Sequence, residues 1–122
     1  METLNEAVFS RFKALCTETD IPIALRHKQS RFVMMVALLV IKATQLGYEL
    51  SFGDAWARTG HMKNSLHYIR LAIDLNLFKG GKYLADSDAH RELGEFWESI
   101  GGSWGGRFGD GNHYSLGHGG RR

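Results

Sequence analysis

Among the six histidines of the chain, His27, His61, His67, His90, His113 and His118, two have acidic neighbours at spacings that can do chemistry. Asp74 follows His67 by seven positions, inside a run that alternates aliphatic and other residues. If that carboxylate is buried it needs a partner, for which a metal ion, an arginine or a set of backbone donors would each serve. An extended chain would hold His67 and Asp74 about 23 Å apart, so Tyr68-Ile69-Arg70 must turn back if both are to reach one point. Downstream, Asp110-Gly111-Asn112-His113 favours a tight turn that can bring a carboxylate and an imidazole to one side of a loop. Two histidines and one carboxylate form the donor set of a catalytic zinc site with a fourth position left for water, and zinc lowers the pKa of such water towards neutrality. A further carboxylate that does not bind the metal can take that proton and hand it to a leaving amine, and Asp110 suits the role. A hairpin turn with a chance histidine accounts for the same residues on spacing alone. Arg58, a short way before His67, can bind a substrate carboxylate through its guanidinium fork, or be a plain surface arginine.

The elements that must carry these residues are readable in part. Leu71, Ile73, Leu75 and Leu77 form one aliphatic face of a strand whose other face holds Asp74 and Asn76. Gly80-Gly81 supplies a two-residue hairpin turn, with Lys82 to Leu84 returning antiparallel. Tyr48 to Phe52 alternates and reads as another strand. Thr3-Leu4-Asn5-Glu6 has the form of a capping box opening a first helix over about residues 4–16. Thr17 to Pro22 reads as a loop. Ser30 is the expected cap of a second helix, apolar most of the way round and stopping near Gly47. Ser87 is the expected cap of a third, with a stripe of Leu93, Phe96, Trp97 and Ile100 ending at Gly101. His90 falls on the polar side of that helix and His27 in a basic stretch, so both are expected at the surface. Nine of the fifteen glycines follow Ile100, yet the same stretch holds Trp104, Phe108 and Tyr114. Three aromatics are out of place in a disordered linker, so an ordered loop with a short strand is expected. The sum is an α+β fold with a small, mainly antiparallel sheet flanked by helices.

Composition narrows the class. A chain of 122 residues, 43% hydrophobic, makes one domain with a real core. The formal net charge of +2 is too small, and the charges too mixed, for a nucleic-acid binder that works through a basic face. Arg121-Arg122 reads as a solvated terminus or as a weak attraction to an anionic surface. One cysteine, Cys16, leaves no intramolecular disulfide and reads as a small buried hydrophobe. The run from Phe32 to Ile41 falls short of the roughly 20 residues that span a bilayer. The first residues lack a basic-then-apolar signal layout, so synthesis in the cytoplasm is expected.

The motif residues resemble the zinc D-Ala-D-Ala carboxypeptidase and phage L-alanyl-D-glutamate endopeptidase family, which shares the hedgehog/DD-peptidase fold. The signature Ser-x-His, two residues, Gly, then x-Ala-x-Asp is matched by Ser65-Leu66-His67-Tyr68-Ile69-Arg70-Leu71-Ala72-Ile73-Asp74, with Arg70 at the glycine position. The later Asp-x-x-His is matched by Asp110-Gly111-Asn112-His113. SFGDAW, NSLH, RLAIDLNLF, LGEFW and GGSWGG before DGNHY look like a phage-type subgroup, and the similarity covers about residues 27–118. The resemblance implies one zinc ion held by His67, Asp74 and His113, with Asp110 as catalytic acid/base. Arg58 would contact substrate, and Ser65 would sit beside the ligands at the substrate site. It also implies a peptidoglycan peptide as substrate, with action on the bacterial wall after release. Residues 1–26 have no family counterpart and read as a helical extension preceding a peptidase domain over 27–122. A wall-binding or phage structural module that keeps the fold without catalysis is the rival expectation.

Overall fold

The computed structural model describes residues 3–16 and 25–122, and shows the expected α+β architecture. Helices α1 (Leu4–Cys16) and α2 (Leu25–Gln45) precede strand β1 (Glu49–Phe52). A 3₁₀ turn (Leu66–Ile69) leads into the long strand β2 (Ala72–Lys79), which pairs back on β3 (Lys82–Tyr83). A second 3₁₀ turn (Ser87–His90) runs into α3 (Arg91–Ser99). Then come β4 (Ser103–Trp104), a third 3₁₀ turn (Gly105–Phe108) and β5 (His113–Ser115). The sheet has the order β1-β2-β5-β4, with β3 also on β2, and every pairing is antiparallel.

Strand β2 is the spine. Leu71, just before it, and its own Ile73, Leu75 and Leu77 are all buried, in one core with Phe32, Met35 and Leu39 of α2 and Leu93 and Trp97 of α3. Gly80 and Gly81 both adopt positive φ, at 59° and 77°, which is the backbone a two-residue hairpin between twisted strands demands. Thr3 and Glu6 form the capping box: the Glu6 N–H donates to Thr3 Oγ1 and the Thr3 N–H to Glu6 Oε2. α1 packs on α2. The Thr17–Pro22 loop and the side chain of Cys16 lie outside the described residues.

Several local expectations are corrected. α2 begins at Leu25, so Ser30 lies inside it and caps nothing; its hydroxyl instead accepts from Arg26 one turn earlier. α2 is not buried all round: Phe32, Met35, Leu39 and Ala43 form one buried stripe, while Val33 is 64% exposed. Ser87 starts a 3₁₀ turn rather than capping an α-helix, and its hydroxyl accepts the Gly111 N–H at 2.9 Å. His90 is buried, not at the surface, because the 3₁₀ turn rotates it inward to meet the Tyr114 hydroxyl at 2.8 Å. His27 is exposed, as expected.

Candidate metal centre

The β2–β5 register builds the site. Asp74 lies directly opposite His113 across the antiparallel pair, and Leu75 N–H to Asn112 O, at 2.9 Å, continues the pairing past the strand end. His113 Nδ1 is 3.3 Å from Asp74 Oδ1. His67 comes from the other direction. The Ser65 hydroxyl accepts the His67 N–H at 3.2 Å, opening the 3₁₀ turn, and Arg70 closes it in the left-handed region at φ 59° and ψ 36°. That is the required reversal between His67 and Asp74. It falls at the position where the family signature has glycine, the residue that adopts such a φ without strain. Gln29 of α2 holds the turn by donating to the Ile69 carbonyl at 2.9 Å. His67 Nε2 thereby comes within 3.1 Å of the same Asp74 oxygen.

The far side of the cleft is held by buried indoles. Trp104 Nε1 donates to Gly111 O and Trp97 Nε1 to Ser115 O, both at 2.8 Å, clamping the chain on either side of His113. The His113 N–H donates to Asp110 O at 3.1 Å, which closes the expected Asp-Gly-Asn-His turn. Gly105 passes so close beneath this turn that a Cβ on it would lie 2.2 Å from Asp110 O and 2.7 Å from His113 Cβ.

Two of these residues, His67 and Asp74, form with His61 a group whose donor atoms lie close enough together to hold a metal ion. Ligand atoms about 2.0–2.1 Å from a tetrahedral zinc sit roughly 3.3 Å from each other, and the two separations from Asp74 Oδ1 are 3.1 and 3.3 Å. Burial pushes the Asp74 carboxyl up, but hydrogen bonds from His113 and His67 together with their charge outweigh it, so the group lies far below the usual carboxylate range. His67 is buried, and its other ring nitrogen, Nδ1, has no hydrogen-bond partner among the described residues.

One member of the cluster went unassigned in the sequence. His61 stacks on His67 with ring centroids 4.0 Å apart, and one donor atom each from His61, His67 and Asp74 fall within 4.8 Å of one another. His61 Nε2 is engaged by Asp54 Oδ2 at 2.9 Å. Only its closeness in sequence to the Ser65–His67 motif hinted at this; no periodicity or spacing did.

A cleft of about 430 Å³ opens over the cluster and is lined by His67, Asp74 and His113 together with Ser65 and Asp110. The Asp110 side chain is exposed and makes no hydrogen bond or ion pair among the described residues. Arg58 does not line the cleft. Its guanidinium lies over the Trp56 ring at 5.2 Å, and Arg70 shares the ring at 4.5 Å. A second cavity of about 380 Å³, bounded by Leu38, Ile41 and Phe96 with Asn5, Glu6, Lys42 and Gln45, has no histidine in its lining.

The comparison with known families bears on this segment. Residues 59–116 match the D-alanyl-D-alanine carboxypeptidase family. The matched segment begins just past Arg58 and includes Ser65, His67, Asp74, Asp110 and His113. The match agrees with the resemblance carried by the two motifs. No curated protein matches the chain. Among the described residues no helix is long and apolar enough to cross a membrane.

Proposed function

We propose that the protein is a zinc-dependent peptidase that hydrolyses a peptide bond in bacterial peptidoglycan, with His67, Asp74 and His113 holding the metal. The observation that carries this reading is the convergence of His67 Nε2 and His113 Nδ1 on one Asp74 oxygen, beside a partnerless Asp110 in an open cleft. When bound, the ion supplies Lewis acidity and makes water a stronger acid at neutral pH. Asp110 accepts the proton of the attacking water as it adds to the peptide carbonyl, then returns that proton to the departing amine. Asp110 is free for this task because its backbone, not its carboxylate, makes the turn to His113. Ser65 positions His67 through the 3₁₀ turn it caps.

The bond is that of an L-alanyl-D-glutamate endopeptidase of the endolysin type or of a D-Ala-D-Ala carboxypeptidase. The two share metal and chemistry, and mass spectrometry of the new ends in digested peptidoglycan separates them. Synthesis in the cytoplasm followed by release to the wall belongs to the same proposal.

His61 favours one rival. Four protein ligands close a zinc site, as in structural centres, and His61 is near enough to His67 and Asp74 to be a fourth. A closed centre fits a non-catalytic wall-binding or phage structural module. Asp54 opposes this, since it engages His61 Nε2 at 2.9 Å and leaves that ring one nitrogen for a metal. Zinc titration of His61→Ala decides: the peptidase reading expects wild-type stoichiometry with wall cleavage retained, and the closed-site reading expects weakened zinc binding.

A further inference from the structure

The cleft has a cationic side that neither the metal donors nor Asp110 explain. Arg121 and Arg122 line it, on the segment that follows Leu116. That segment is fixed to the fold. Lys28 of α2 donates to the Gly117 carbonyl at 2.8 Å and lies 3.2 Å from His118 Nδ1, while His118 and Arg121 exchange both backbone hydrogen bonds. Arg121 is half-buried, and one guanidinium nitrogen donates to the Asn64 carbonyl at 3.0 Å. Asn64 itself stands at φ 65°, one residue before the serine that caps the His67 turn. The contact therefore orients the Arg121 fork against the wall that carries His67 and leaves its remaining donors without a carboxylate partner among the described residues. Arg122 lies over the Phe108 ring at 5.4 Å, and that ring lies 6.0 Å from the His113 ring. The two arginines thus bridge the two walls of the cleft. Of the acidic side chains that line it, Asp74 is committed to two histidines, which leaves Asp110 as the one carboxylate side chain there without a partner among the described residues.

We propose that Arg121 and Arg122 form the anion subsite of this cleft and select peptides that carry a carboxylate close to the cleaved bond. This rests on the peptidase reading. A planar guanidinium offers paired donors that match a carboxylate, and Arg58, the arginine expected in that role, is stacked on Trp56 outside the cleft. The carboxylate is either the peptide's terminal one or that of an acidic side chain.

The test compares one synthetic wall peptide as free acid, as terminal amide and as side-chain amide. Hydrogen bonds to a charged group are worth about ten- to a hundredfold in an equilibrium constant. Zinc-loaded wild type should prefer the acid over one of the two amides by that factor, carried by KM, and the disfavoured amide identifies which carboxylate is read. The Arg121→Gln/Arg122→Gln double variant should lose the preference while keeping its zinc content and melting temperature. Should the double variant fold poorly, Arg122→Gln alone, at a side chain that makes only a ring contact among the described residues, should still reduce the preference. Calorimetric affinities of the same peptides for zinc-loaded Asp110→Asn give a second readout without turnover. A wild type that binds acid and amides alike, or a double variant that loses all three substrates equally, would overturn the subsite. Binding that discriminates the acid without cleavage of any peptide would keep the subsite and overturn the peptidase reading instead.

Discussion

Asp110 and His113 stand three positions apart and have different parts in the proposed reaction. The turn hydrogen bond from the His113 N–H to Asp110 O uses the backbone of both and leaves the Asp110 carboxylate unpaired in the cleft. Asp110→Asn keeps the shape and removes the proton acceptor, so turnover of a wall peptide at saturating zinc should fall about a hundred- to ten-thousand-fold, with zinc content unchanged. Unimpaired turnover would take the acid/base role from this residue. His67→Ala and His113→Ala should instead lose most of the bound zinc after dialysis against a mild chelator, which metal analysis reads directly. Away from the cleft, burial lowers the His90 pKa below its ordinary 6.5. The unfolded chain therefore takes up a proton that the folded chain resists, and stability falls as pH drops through about 6.5. Each unit of such displacement is worth about 1.4 kcal/mol. Thermal melts should show His90→Gln losing less stability than wild type between pH 7 and pH 5. Parallel profiles would mean that His90 contributes nothing to the acid sensitivity.

At the scale of elements, the site depends on how closely the glycine-rich segment before β5 can approach the sheet. A methyl at Gly105 would meet the Asp110 carbonyl and His113 Cβ, neither of which can swing away. Gly105→Ala should cost about 1–3 kcal/mol of stability through overpacking. It should also weaken zinc binding by about ten- to a hundredfold, the usual cost of disturbing what supports a metal ligand. Stability lost with zinc affinity intact would mean that His113 does not move. The sequence announced what is local here: the alternation of β2, the Gly80-Gly81 hairpin, the Asp-Gly-Asn turn and the need for a reversal before Asp74. It was silent where a partner distant in the chain decides. Ser87 resembles a helix cap, yet its hydroxyl serves Gly111 across 24 positions. His90 sits on a polar-looking face until Tyr114 claims it. Ser30 looked like a helix start because the polar run Arg26 to Gln29 hides the first turn of α2. Arg58 was placed by analogy of order, and the ring that captures it is only two residues away. The register that sets Asp74 opposite His113 is long-range pairing between segments 39 positions apart, and no local pattern encodes it.

In the whole molecule, α2 and α3 cover one face of β2 while the cleft opens where the 3₁₀ turn, β5 and residues 121–122 meet. The proposed donors come from three separated segments that only the folded chain brings together, so a metal held there is linked to folding: a ligand bound at a hundred times its dissociation constant stabilises by about 2.7 kcal/mol. Chelation should lower the melting temperature and zinc should restore it, while His67→Ala shows neither change. The most direct measurement of the account is digestion of purified peptidoglycan by the chelator-stripped protein, before and after zinc is returned, with the new peptide ends identified by mass spectrometry. Metal-dependent peptidase action predicts new ends that appear only with zinc and disappear again with chelator. No new ends from protein carrying a full complement of zinc, or the same ends with and without the metal, would contradict it.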